Sequence, residues 1–222
     1  MGKIKIKKTD VWIDMTPMSD VMVLLLTFFM LSANFTKNEV VKVVTPGSTT
    51  MAKVSSSAVL DITIDPEGRV LIGTDKTVTL EKALEQMLKE RETTLTPDQK
   101  KEFLVGTQIG IPVKSLPEYL SRTHEDQVKL LKTTGIPTDS LQNREDKMSE
   151  FQLWVKAMKN GYKEWYNDLA DAEKVGVANK LEICIKADKE TPYSAVKMVI
   201  AELQDINESR YKLVTQLKKL EE

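Results

Sequence analysis

A carboxylate opens the most apolar stretch of this chain. Asp20 follows Thr16-Pro17-Met18-Ser19 and leads into residues 21–33, Val21-Met22-Val23-Leu24-Leu25-Leu26-Thr27-Phe28-Phe29-Met30-Leu31-Ser32-Ala33. A run of this kind folds as a membrane helix or as a buried helix of a soluble core. At the centre of a membrane helix an aspartate costs about 2.5–3.5 kcal/mol on insertion scales. Such a residue faces a protein interior or a water path, and its default reading is functional, proton relay first.

The flanks favour the membrane. Thr16-Pro17 reads as a helix cap followed by proline at the first helical position. A helix over 17–34 would be about 27 Å long at 1.5 Å per residue, close to a hydrocarbon core of roughly 30 Å. Trp12 suits the interface. Lys3, Lys5, Lys7 and Lys8 precede the helix, whereas only Lys37 and Lys42, with Glu39 between them, follow it nearby. This asymmetry places the N-terminus in the cytoplasm and everything after Asn34 on the far side. Two other readings stay open. A cleaved signal peptide also has a basic start and a short apolar core, but Asp14, Pro17 and Asp20 crowd that core and the exit is a partial match to a cleavage site. A buried soluble helix would suit an uninterrupted run this short, but the lysines and Trp12 oppose it.

Asp20, Thr27 and Asn34 are seven residues apart, and Leu24 and Leu31 fill the alternating positions. Positions 20-24-27-31-34 make a heptad seam that drifts only about 20° per repeat. It suits a parallel self-pair, or a partner's helices, more than lipid. Thr27 has a second option, bonding back to its own helix.

Elsewhere the sequence excludes more than it specifies. The chain has 222 residues and a net charge of -1, enough for one anchor and a small soluble domain. A near-neutral balance gives no support for nucleic-acid binding. There is no P-loop, dinucleotide fingerprint or zinc spacing, so no cofactor and no metal is expected. Cys184 stands alone in a strand-like run and reads as a buried core thiol. His124 lies in the polar run Arg122-Thr123-His124-Glu125-Asp126 and reads as a surface residue. No nucleophile–base constellation is visible outside the apolar segment, which argues against an enzyme.

Residues 36–57 read as a flexible tether, with Pro46-Gly47-Ser48-Thr49-Thr50 and Ser55-Ser56-Ser57 as punctuation. Glu39-Val40-Val41-Lys42-Val43-Val44 reads as a short edge strand able to pair with another chain. Val59–Ile64 alternates and ends at Asp65-Pro66-Glu67-Gly68, a turn from which 69–73 returns. Thr79 is placed to cap a helix whose apolar face is Leu80, Leu84, Met87 and Leu88. Farther on, 181–187 reads as a strand. Thr191-Pro192 opens a helix with Val196, Val199, Ile200 and Leu203 on one face, and 211–215 reads as a last strand. Between these parts, 116–133 and 148–170 have helical periodicity. Phe151, Trp154, Val155 and Met158 form a stripe that suits the core of a helical hairpin or, alternatively, a docking surface. Gly110-Ile111-Pro112 and Gly135-Ile136-Pro137 echo each other too weakly to define a repeat. The order ββα–insertion–βαβ predicts an α+β fold with helices on one face of a small sheet.

The motif Thr16-Pro17-Met18-Ser19-Asp20-Val21-Met22, continuing through Leu24, Leu25, Phe29 and Met30, resembles the ExbD/TolR family of bacterial energy-transducing membrane proteins. The hairpin after Leu60 and the element Ile183-Cys184-Ile185-Lys186-Ala187-Asp188-Lys189 with its following helix are similar to that family too. Asp14 stands where members usually carry Asn, Ser19 where they carry an aliphatic residue, and residues 92–178 have no counterpart in the resemblance. The resemblance implies a layout of a cytoplasmic N-terminus (1–14), a single transmembrane helix (15–35), a periplasmic tether (36–57) and a periplasmic domain (58–91 and 179–222), around a helical insertion (92–178) whose removal is expected to leave membrane insertion intact. It implies a homodimer whose helices sit inside a ring of ExbB/TolQ-like subunits in the inner membrane. There it uses proton-motive force to energise transport across the outer membrane through a TonB/TolA-like transducer. Asp20 would be the proton relay, with Thr16, Ser19 and Thr27 as a polar path and Leu24, Leu31 and Asn34 in the seam. Asp14 reads as an interfacial helix-start acid. The rivals are a TolR-like role in envelope maintenance, a non-conducting structural anchor, and a released periplasmic binding module.

Overall fold

A computed structural model of the chain describes residues 16–32, 40–48, 58–106, 108–138, 148–170, 174 and 177–217. The chain divides into two compact units, 1–37 and 38–222.

The first unit contains helix α1 (Thr16–Ser32) of 17 residues. At 1.5 Å per residue it is about 25 Å long, short of a hydrocarbon core of roughly 30 Å. No helix among the described residues is long and apolar enough to cross a membrane. The described helix covers 16–32 of the span expected over 15–35, and residue 15 and residues 33–35 lie outside the described residues. Trp12, Asp14 and Asn34 lie outside the described residues.

The second unit is a mixed α+β fold. Strand β2 (Val59–Ile64) buries Leu60, Ile62 and Ile64 completely. It pairs antiparallel with β3 (Val70–Thr74), Ile62 opposite Ile72. The turn between them is built as its residues require. Gly68 takes φ = +82°, a conformation that costs other residues a Cβ clash, and its N–H donates to the Asp65 carbonyl at 2.9 Å. The Arg69 N–H donates to Asp65 Oδ1 at 2.8 Å. Arg69 thus belongs to the turn, and the returning strand starts one residue later than its alternation predicts.

Strand β5 (Glu182–Ala187) lies parallel to β2, and β6 (Tyr211–Leu213) lies parallel to β5. On the other side of the hairpin, β4 (Gln108–Ile109) pairs antiparallel with β3. The order is β4-β3-β2-β5-β6. A separate parallel pair joins β1 (Gly47–Ser48) to β7 (Gln216–Leu217). Residues 40–46 form no strand. The Val41 N–H instead donates to the Gln108 side chain at 2.8 Å, and the Val44 N–H donates to Asp188 Oδ2 at 2.7 Å.

Helix α2 (Thr77–Glu90) buries Leu80, Ala83, Leu84, Met87 and Leu88. Its N-cap is Lys76, so Thr79 is no cap. Only two residues separate β3 from the helix, which forces the helix to begin before Thr79 is reached. Helix α3 (Pro97–Val105) has a capping box between Thr96 and Gln99. The stretch predicted helical over 116–133 divides into α4 (Leu116–Leu120) and α5 (His124–Leu131). Ser121 turns its hydroxyl back to the Pro117 carbonyl at 2.8 Å, and Thr123 engages Asp126 at 2.9 Å; both bonds favour a break there.

Helix α6 (Glu150–Asp168) starts from a Ser149/Gln152 capping box. Phe151, Trp154, Val155 and Met158 are all fully buried. The stripe is therefore core and not a docking surface, and α6 packs chiefly on α2 rather than on α4 or α5. Trp154 stacks on Phe103 of α3 with ring centroids 6.1 Å apart. Both echoed Gly-Ile-Pro segments bury their isoleucines, Ile111 and Ile136, in this same core. Helix α7 (Tyr193–Asp205) buries Val199 and Leu203. Thr191 does not cap it, because its hydroxyl donates to the carbonyls of Ile64 and Asp65 at 3.3 and 2.9 Å, tying the helix start to the hairpin.

Candidate functional site

Helix α1 carries apolar side chains on all its sides. Val21, Met22, Val23, Leu24, Leu26 and Phe28 are each more than half exposed, and Phe28 meets Phe29 edge to face at 5.9 Å. A helix that is apolar all round belongs in a core or in lipid. Asp20 lies near its N-terminal end and is exposed within this unit.

Asp20, Leu24, Thr27 and Leu31 follow one another at steps of four, three and four within α1, so they line one side of it. All four are exposed. Position 16 is one turn before Asp20 on that side. Ser19 is about 100° away around the axis at 3.6 residues per turn, off the seam, and exposed. Asn34 lies outside the described residues. The Thr27 hydroxyl donates to the Leu24 carbonyl at 2.9 Å, the back-bond that was its second option. Ser32 does the same toward Phe29 at 3.4 Å.

In the second unit, the sheet face opposite Leu60 and Ile62 carries two half-buried ion pairs beside the buried Leu71, Thr63 and Cys184. Lys186 Nζ lies 3.2 Å from Asp61, and Lys212 Nζ lies 2.7 Å from Glu182. Cys184 is fully buried between those rows. Burial, aided by the Asp61 and Glu182 carboxylates, pushes its thiol up to about 11. It is thus a poor nucleophile, as its strand-like setting suggests. His124 is exposed at the start of α5. Sequence reasoning missed the bond from Val44 to Asp188. The bonds from the backbone N–H groups of Glu190 and Val44 hold the Asp188 carboxyl below its ordinary range.

The decisive comparison concerns almost the entire chain. The family model described as "Biopolymer transport protein ExbD/TolR" matches residues 7–218. The chain belongs to the ExbD/TolR family. The match runs through 92–178, the segment that the motif resemblance left aside. No curated protein and no solved structure matches the chain. ExbD/TolR members are non-enzymatic, membrane-anchored subunits of energy-transducing complexes that include ExbB/TolQ-type partners.

Proposed function

We propose that this ExbD/TolR protein is the ExbD-like subunit of a proton-driven motor, with Asp20 as the residue that binds and releases the proton. The observation that supports this most is α1 itself, a helix apolar and exposed on every side that nevertheless carries Asp20 on a seam with Leu24, Thr27 and Leu31. An apolar surface of that kind requires a cover, and an acid on it requires a polar or proteinaceous one.

In this reading α1, extended by its neighbours in sequence, anchors the chain in a bacterial inner membrane. The N-terminus is cytoplasmic and the unit 38–222 is periplasmic. The seam pairs two copies inside an ExbB/TolQ-like ring. Each proton that crosses releases about 2.3 kcal/mol per 100 mV, comparable to the cost of burying the Asp20 charge. Protonation therefore suffices to shift the helix between docked positions, and a TonB-like protein carries the movement outward. Thr16, Ser19 and Thr27 line the polar approach, with Thr27 reaching it only if it exchanges its bond to Leu24.

The test compares wild type with Asp20→Asn at matched membrane levels during growth on an iron–siderophore or cobalamin source. The amide keeps the shape of the carboxylate but cannot titrate. Abolished uptake is the expected outcome. Intact uptake with a leaking envelope or failed division would assign the TolR-like role, and no change in either would leave α1 a structural anchor.

A further inference from the structure

One face of α6 is not used by the core. Lys156, Lys159, Lys163 and the amides Asn160 and Asn167 recur at helical spacing, to one side of the Phe151/Trp154 stripe, with Tyr166 packed partly against the core beside them. They line a groove of about 740 Å³ whose other wall is formed by residues 179–181 and 205–208. A second cavity of about 760 Å³ shares Lys159, Lys180 and Asn207 with it and continues to Arg210 and Tyr211, beside β6 at the sheet margin. Together they make one trough from α6 to the last strand of the main sheet.

Among the described residues the charge in this trough is unbalanced. Lys159 is ion-paired to Glu208, and Lys212 to Glu182. Asp205 also lines the trough and has an interaction of its own. Lys156, Lys163, Lys180 and Arg210 form no ion pair among the described residues, and all four are exposed. Among the described residues, six cations thus line the trough against three carboxylates, Glu182, Asp205 and Glu208. Beneath it Leu181 and Tyr162 are buried in the core, and half-buried Ile206 makes the floor apolar. Asparagine amides at 160, 167, 179 and 207 stand around it. Each amide offers a donor and an acceptor, the pairing that a peptide group presents.

We propose that this trough is a docking site for an extended acidic peptide segment of a partner protein. Carboxylates would meet Lys156, Lys163, Lys180 and Arg210, apolar side chains would reach Ile206, and the peptide backbone would bond to the asparagines. A flat basic patch would attract any polyanion. The apolar floor and the amides select a peptide over a polyanionic glycan, which has no apolar side chains to bury. The site lies in the second unit and does not depend on Asp20.

The experiment uses the full chain in detergent micelles and a fluorescein-labelled peptide that alternates glutamate with leucine. Its glutamine counterpart and heparin are the comparison probes. Fluorescence anisotropy is expected to show binding of the glutamate peptide that weakens as salt is raised, with the glutamine peptide bound at least about tenfold more weakly. Lys156→Glu/Lys163→Glu is expected to weaken the glutamate peptide by about tenfold or more. These positions are exposed, so circular dichroism and the melting temperature should stay unchanged. Equal affinity for the two peptides, or unchanged affinity in the variant, would overturn the proposal. So would binding of heparin alone, which would make the trough a glycan site.

Discussion

Trp154 shows how much one buried side chain supports. It is fully buried and stacks on Phe103, so it links α6, which packs on α2, to α3. Trp154→Ala is expected to cost about 3–5 kcal/mol, read as a lowered urea midpoint with an unchanged slope. Cys184 is the opposite case, a reactive group made inert by its surroundings. With its thiol pushed up to about 11, the folded protein keeps it protonated at pH 9 to 10 where an unfolded chain has begun to ionise. The sign follows from linkage. This contribution to stability is complete below the ordinary thiol value and is lost as pH rises through the folded one. Iodoacetamide at pH 9 is expected to leave the native protein unlabelled and to modify it rapidly in urea. Labelling of the native protein at a free-thiol rate would disprove the burial. Both residues were legible in the sequence as core, one from its place in a helical stripe and the other from its strand-like neighbours. Their partners were not, because Phe103 lies some fifty residues from Trp154 and no local pattern connects them.

Elements differ in how far local chemistry dictates them. The β2–β3 hairpin was readable because alternation and the Asp65-Pro66-Glu67-Gly68 turn agree. Helices α6 and α7 were readable from their periodic apolar faces. Strand β4 was not: it has two residues, too few for a period, and exists only because β3 offers it an edge. Residues 40–48 are likewise shaped by what they touch. Asp188 accepts from Val44 at 2.7 Å, and Lys189 N–H donates to the Val44 carbonyl at 2.9 Å. Because the Asp188 carboxyl is held below its ordinary value of 3.8, mainly by the Glu190 and Val44 N–H groups, its contribution is present above that value. The contribution is lost as pH falls through the folded value. Hydrogen exchange at Val44 is expected to lose protection on acidification and in Asp188→Ala at neutral pH, while core strand β2 stays protected. Unchanged protection at Val44 in the variant would show that the Lys189 contact alone holds the segment.

At the scale of the whole molecule, the second unit has one core and 92–178 contributes heavily to it. Phe103, Val113, Leu116, Phe151, Trp154 and Met158 cluster with Leu60, Ile62, Leu84 and Ile185. Deleting 92–178 would strip α6 from α2 and β4 from β3. The expected outcome is a chain that retains the α1 segment but shows no cooperative melting transition by circular dichroism. A sharp transition near that of the intact protein would mean that the rest folds alone. By itself the sequence determined α1 with its misplaced acid, the hairpin, the strand–helix element around Asp188 and the α+β class. Caps, turns and periods are local, and each reports its own backbone state. Only the tertiary structure decided which strand adds to β3, that α6 belongs to α2, and that the lysines of α6 face Lys180 and Arg210 across a trough. Those are contacts between segments far apart in sequence. Their free energy comes from apolar area that two elements bury jointly, and neither element records the other in its own pattern.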